Sequence, residues 1–247
     1  TAYLMTQTLK PDVVLMDLNM GDFDGHHGIR QIMQYCPTPI VILSAVGNVD
    51  MHPILEALAL GAIDYLLKPA RNRTDLNEVH QALLTKIKVA SAITVQAMQS
   101  QPSVAPNQHK HSFDALDLAY DCVVLGASTG GPRALEAILT QLPQNFAVPI
   151  YIVQHIPSIF VRSFAERLNG TTSLSVQLAH HGQAPQKGHI YIASGEGNLI
   201  VVRRDQQVSF EKSEQRGLHY NHPSVDVMMQ SVAAVYGERA IGVLLTG

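Results

Sequence analysis

The stretch Val123-Val124-Leu125-Gly126-Ala127-Ser128-Thr129-Gly130-Gly131-Pro132 decides how the C-terminal half of the chain is read. Its apolar start has the length and character of a buried strand. The small residues that follow make a tight turn, and Pro132 suits the first turn of a helix. Strand, turn and helix form the repeating unit of a parallel α/β sheet. Gly126-Ala127-Ser128-Thr129-Gly130 also fits Gly-x-Ser-x-Gly, the spacing that lets a sharp turn present a serine hydroxyl. Alone the signal is weak, because glycine-rich turns at helix N-termini also hold phosphates. The dinucleotide spacing Gly-x-Gly-x-x-Gly is absent: Ser128 stands two places after Gly126. No lysine follows as in a P-loop. A nucleotide-binding α/β domain is therefore disfavoured.

Strands and helices alternate on both sides of this stretch. Upstream, Val13–Met16, Ile40–Leu43 and Tyr65–Leu67 are short apolar runs. Helical patterns at His27–Tyr35 and Met51–Leu60 separate them, and a further helix is expected from about Asp75 to Met98. Gln99–Asp114 is polar, proline-bearing and aperiodic, which is the composition of a linker. Downstream, strands are expected at Cys122–Gly126, Pro149–Gln154, Leu174–Ala179, His189–Ala193, Asn198–Arg203 and Gln207–Phe210. A last buried strand is expected at Ala240–Leu245. Helices are expected at Gly131–Leu142, Ser158–Leu168 and Ser224–Tyr236. The domain reading is 1–90, a linker at 91–119, and 120–247.

Composition narrows the class. The chain has 247 residues, 46% hydrophobic and 15% charged, with a formal net charge of −3. That gives no basic footprint for nucleic acid. No apolar run approaches the roughly 18 residues of a membrane span, and there is no signal-peptide pattern, so a cytoplasmic protein without membrane insertion is expected. Cys36 and Cys122 are far apart in sequence and read as separate thiols. The chain begins at Thr1, without Met, in a helical pattern and stops at Gly247 directly after an apolar run. Both ends read as cuts in a longer protein.

A hydroxyl nucleophile needs a base. His109 and His111 flank Lys110 in the linker, without acids or cysteines to support a metal. His180 and His181 sit in a turn and read as solvated. His155 differs, because it follows the strand Pro149–Gln154, the next strand after the one that carries Ser128. If the two strands pair in parallel, Ser128 and His155 leave the same carboxyl edge side by side, as a serine nucleophile and general base require.

The N-terminal half carries a second constellation. Asp17, Ser44 and Lys68 each follow one of the three apolar runs. In a parallel sheet, an acid, a hydroxyl and an ammonium then converge on one edge, where α/β folds place their sites. The trio suits a phosphoryl group on Asp17, with Ser44 donating a hydrogen bond and Lys68 pairing with the charge.

Two resemblances follow from these motifs. Lys10–Asp17, Asp24-Gly25, Ser44-Ala45 and Gly61–Pro69 resemble the response-regulator receiver domain, with Gly21 where that family usually has proline. The resemblance implies a flavodoxin-like fold with Asp17 as phosphoacceptor and Ser44, Tyr65 and Lys68 as its switch residues. It also implies Mg²⁺ for phosphorylation in the full-length protein. The acidic pair that helps hold the ion is absent here, so Asp17 supplies only part of the site. The family's first strand is absent too, leaving the remaining sheet short of neighbours.

Gly126–Pro132, Gln154–Pro157, Arg162–Leu168, Pro223–Asp226 and Gly242–Gly247 resemble the catalytic domain of the chemotaxis protein-glutamate methylesterases, the CheB family. That family's order is receiver, linker, then a catalytic domain, expected here as a doubly wound, mostly parallel α/β methylesterase domain. The resemblance implies Ser128 as nucleophile and His155 as base, with no cofactor for the esterase step. Substrates would be methylglutamates, and in some members glutamines, of methyl-accepting chemoreceptors. The phosphodonor would be a chemotaxis histidine kinase. The unphosphorylated receiver would cover the catalytic edge.

The third triad member of the family, an aspartate, would lie beyond Gly247, so impaired activity is expected of the chain as given. Asp226 is not assigned that role. Asn198 stands where the family often has histidine. Arg162 and Arg167, on the helix after His155, are weak candidates for contact with an acidic receptor helix. The competing class is a non-catalytic, receiver-linked signalling or binding module, whose output would survive Ser128→Ala.

Overall fold

A computed structural model describes residues 2–20, 23–45, 51–68, 76–93, 119–214 and 223–246. Gly21, Pro69, most of the expected linker and Gly247 lie outside the described residues. The chain divides into two compact units, Thr1–Lys110 and His111–Gly247.

The first unit holds helix α1 (Ala2–Leu9), strand β1 (Val14–Asp17), the two-residue strands β2 (Asn19–Met20) and β3 (Phe23–Asp24), and α2 (Gly25–Tyr35). Then come β4 (Ile40–Ala45), α3 (His52–Ala59), β5 (Asp64–Lys68) and α4 (Leu76–Ser91). β1, β4 and β5 form a parallel sheet in that order. Ile40, Val41 and Ile42 of the middle strand are completely buried, as are Ile29 and Ile32 of α2. Among the described strands β1 stands at the sheet edge, and Leu15 in its apolar run is 43% exposed.

Asp24-Gly25 is explained by the start of α2. The Asp24 carboxylate caps the helix by accepting from the His26 N–H at 2.9 Å. That bond, the largest influence on it, holds its pKa below the usual value. A Cβ on Gly25 would lie 2.7 Å from the Asp17 carbonyl oxygen, so only glycine lets α2 begin against the end of β1.

The second unit is built on five parallel strands in the order β12-β6-β7-β9-β8: Ala240–Thr246, Cys122–Ala127, Ile150–Gln154, His189–Ile192 and Ser175–Leu178. Helix α5 (Gly131–Leu139) links β6 to β7, and α6 (Ser158–Thr171) follows β7. β10 (Asn198–Arg204) and β11 (Gln207–Ser213) form an antiparallel hairpin. Its two-residue turn puts Asp205 and Gln206 at positive φ (48° and 68°), as a tight hairpin demands. Helix α7 (Val225–Tyr236) then packs on β10.

Tyr151, Tyr191 and Phe210 are buried at the centre of the unit, with Phe210 edge-on to Tyr151. The Tyr151 hydroxyl shares a 2.7 Å hydrogen bond with that of Tyr236. The sequence leads one to expect β12 to be a buried strand, but among the described strands it stands at the sheet edge and pairs with β6 alone. Leu244 is accordingly 68% exposed. The chain runs outward one way from β6 to β7 and returns on its other side as β12. The carboxyl end of β6 is thus a switch point, where open α/β sheets form clefts.

Candidate active site

Ser128 is the first residue after β6, and its backbone is held on both polar groups. Its N–H donates to the Thr246 carbonyl at 3.0 Å. Its carbonyl accepts from the Gly131 N–H and from Gln154 Nε2, each at 2.9 Å. The side-chain hydroxyl has no hydrogen-bond partner among the described residues. Two glycines shape the turn for different reasons. Gly130 has φ +75°, a left-handed conformation that a side chain rarely adopts. Gly131 is helical, but a Cβ there would overlap Gln154 Oε1 and lie 2.8 Å from Ala127 Cβ.

His155 is the first residue after β7. Its N–H donates to the Ala127 carbonyl at 3.0 Å, continuing the ladder in which Ala127 pairs with Gln154. Ser128 and His155 therefore leave one sheet edge from adjacent parallel strands. No hydrogen bond joins the hydroxyl to the ring in this structure, and His155 Nε2 is buried with no partner among the described residues. Desolvation of the half-buried ring is the largest influence on His155 and lowers its pKa. The Pro223 carbonyl and the Asp226 carboxylate oppose it and favour the imidazolium. The net direction is down, so the ring is neutral near pH 7 and has a lone pair to accept a proton.

Pro223 reaches His155 through the start of α7. A Cβ on Gly126 would strike Val225, which shows how closely this helix end packs over β6. The buried Asn198 side chain accepts from the Ser224 N–H at 2.6 Å, and Ser224 caps the helix. The position noted for its departure from the family's histidine thus holds the segment that faces His155.

Three buried side-chain polar atoms lack a partner among the described residues: Gln154 Oε1, His155 Nε2 and Thr246 Oγ1. All three belong to residues at the ends of the strands flanking Ser128. Each such atom costs about 1–3 kcal/mol. Local rules broken together at one sheet edge mark a place shaped for something other than stability.

Arg167 and Arg162 differ. The Arg167 guanidinium pairs with Glu136, at 2.9 Å for its closest contact, and ties α6 to α5. Arg162 is exposed and has no ion pair among the described residues. His180 and His181 are exposed in the turn after β8, and Cys36 and Cys122 are free thiols.

In the first unit, register places Asp17 opposite Leu43 and Lys68 opposite Ala45, so Asp17, Ser44 and Lys68 share the carboxyl edge. The Lys68 ammonium pairs with the Asp17 carboxylate. Ser44 is buried. The Tyr65 ring is buried too, which pushes its phenol pKa up, and the Lys86 ammonium lies 5.9 Å from the ring centre. Asp17 is the only carboxylate of the trio, and no group of three or more His, Cys, Asp or Glu among the described residues could hold a metal ion. These residues alone do not make a Mg²⁺ site.

Comparison with known proteins accords with this geometry. Residues 123–247 match the family model for CheB methylesterase, and residues 1–83 match that for the response regulator receiver domain. The chain belongs to the CheB methylesterase family. A protein-glutamate methylesterase/protein-glutamine glutaminase of Archaeoglobus fulgidus is 35% identical over 246 residues, covering 97% of this chain and 69% of that protein. The Thermotoga maritima protein of the same name is 33% identical, with the same two coverages. The crystal structure of the Thermotoga maritima CheB methylesterase catalytic domain is 38% identical, with TM-score 0.50. That match covers 52% of this chain and 68% of the other. Membership of the CheB family makes the chain a hydrolase of the methylesterase type in a chemotaxis signalling context. No helix among the described residues is long and apolar enough to cross a membrane.

Proposed function

We propose that this chain hydrolyses methylglutamate γ-esters, and by the same route deamidates glutamines, on methyl-accepting chemoreceptors in the cytoplasm. Ser128 is the nucleophile and His155 the general base. The observation that carries the reading is the pairing of a pinned backbone with a free hydroxyl at Ser128, one strand from a neutral imidazole. His155 takes the hydroxyl proton as Ser128 Oγ bonds to the ester carbonyl carbon. The resulting oxyanion takes its hydrogen bonds from backbone N–H groups around the turn that carries Ser128. Collapse breaks the bond to methoxide, which leaves as methanol with the proton from His155. Water activated by the same ring then frees the glutamate and restores Ser128. For glutamine, ammonia replaces methanol.

In the first unit, Asp17 accepts a phosphoryl group from a chemotaxis histidine kinase, and this regulates the esterase. The Lys68–Asp17 pair supports this, since an ammonium already beside the carboxylate suits the added phosphoryl charge. Exposed Arg162 is the better placed of the two arginines to meet an acidic receptor helix, since Arg167 is engaged by Glu136.

Methanol release from a methylglutamate peptide tests the catalytic assignment. Ser128→Ala is expected to lose release while folding normally, and a fluorophosphonate is expected to label wild type at Ser128. Release that persists in folded Ser128→Ala would overturn the assignment.

A further inference from the structure

Gln154 ends β7, a strand whose other four residues are all apolar and buried. It is 2% exposed, so a polar side chain here needs a reason. Its Nε2 donates to the Ser128 carbonyl at 2.9 Å and to the His155 carbonyl at 3.4 Å. One amide group thus bridges the main chains of the two residues assigned to the chemistry. The orientation follows from the partners: with the amide turned over, its oxygen would face two carbonyl oxygens. Oε1 instead points at the start of α5, where a Cβ on Gly131 would overlap it, and it has no donor among the described residues. An apolar residue of similar volume would fill this space without burying an orphan acceptor. Packing alone therefore does not account for a glutamine.

We propose that Gln154 is a positioning residue that locks Ser128 and His155 into one register; this rests on their assignment as nucleophile and base. Besides this bridge, the two segments are tied at the edge by the His155 N–H to Ala127 carbonyl bond. The second donor on the Ser128 carbonyl fixes the peptide after Ser128, and with it the place of the Cα from which the hydroxyl is presented. Displacement of a reacting group by about 1 Å costs on the order of a hundredfold in rate. Gln154 acts through the backbone and touches neither the ester nor the transferred proton.

The test uses the full chain as wild type, Ser128→Ala, Gln154→Met and Gln154→Glu. The readouts are kcat and KM for methanol release, the rate of fluorophosphonate labelling of Ser128, the pH profile and the thermal midpoint. Gln154→Met is expected to melt at or above the wild-type temperature. Its kcat and labelling rate should both fall tenfold or more, with KM within twofold. Gln154→Glu replaces the amide by a carboxyl that has at most one O–H to donate and cannot bridge both carbonyls, so its kcat and labelling rate should fall as well. A folded Gln154→Met with wild-type kcat and labelling rate overturns the proposal. If Gln154→Met does not fold, a wild-type kcat in Gln154→Glu overturns it instead. Wild type that is not labelled at Ser128, with release persisting in Ser128→Ala, overturns the catalytic assignment and this proposal with it. Labelled wild type beside an unaffected Gln154→Met sinks the positioning role alone.

Discussion

Gly131→Ala offers a sharp test of the turn, because general propensity and this geometry predict opposite signs. Glycine to alanine in a helix ordinarily stabilises by up to about 1 kcal/mol. Here the new Cβ would overlap Gln154 Oε1 and lie 2.8 Å from both Gln154 Cδ and Ala127 Cβ. Ala127 is buried in the central part of the sheet and cannot retreat, so Gln154 must move. Overpacking of this kind costs about 1–3 kcal/mol. Displacing Gln154 also loses two hydrogen bonds, about 1 kcal/mol for the 2.9 Å bond and less for the 3.4 Å one. The net expectation is destabilisation by about 2 kcal/mol, read as a lower midpoint in urea unfolding followed by circular dichroism. Gly130→Ala is the control: its Cβ would meet nothing within 4 Å, and its cost is the left-handed φ alone, about 1–2 kcal/mol. In a Gln154→Ala background the Gly131→Ala penalty should shrink by at least about 1 kcal/mol, the signature of two residues in contact. A Gly131→Ala protein as stable as wild type, or the same penalty in both backgrounds, would refute the reasoning.

Two further outcomes follow from the charges. Asp226→Asn removes a carboxylate that stabilises the His155 imidazolium, so the folded-state pKa of the ring falls further and the acid limb of kcat/KM moves to lower pH; an unmoved limb, or one shifted upward, contradicts this. In the first unit, Lys86→Met leaves the buried Asp64 carboxylate without its ammonium at 2.5 Å and should cost about 3 kcal/mol in denaturant unfolding, the low end for breaking a buried pair because Lys86 keeps some exposure; a loss under about 1 kcal/mol would show that Asp64 is already satisfied by its bond from the Tyr65 N–H.

The residues that announce themselves in the sequence are those whose position follows from one strand and its end. Asp17, Lys68, Ser128 and His155 each come directly after, or close, an apolar run, so parallel pairing is enough to bring each set to one edge. In the sequence Gln154 stands out only as the first residue of Gln154–Pro157. Its role depends on a side chain crossing from β7 to the turn after β6, which no local pattern encodes. Its one visible signal was a polar residue closing a wholly apolar strand. The Pro223 carbonyl at His155 depends on α7 folding back over Gly126 from a distant part of the chain. The burial expected for Ala240–Leu245 failed for a related reason. An apolar run shows that a strand forms, but a place at the sheet edge is a property of the whole topology.

Pinning and orphaning at this edge are two sides of one arrangement. Ser128 uses its N–H once and its carbonyl twice, which is more main-chain bonding than a turn residue needs to fold. Of the three partners in those bonds, Gly131, Thr246 and Gln154, the last two are among the residues whose side-chain atoms, Oγ1 and Oε1, lack a partner among the described residues. Their backbones and amide donors are committed to holding Ser128, and the remaining polar atoms have nowhere to turn. A sequence selected for stability alone would relieve such atoms with apolar replacements of the same size. Keeping them makes sense only if the geometry they enforce is worth more than the stability they cost. That geometry ends in a Ser128 hydroxyl with no partner among the described residues, one strand from an imidazole that burial keeps neutral.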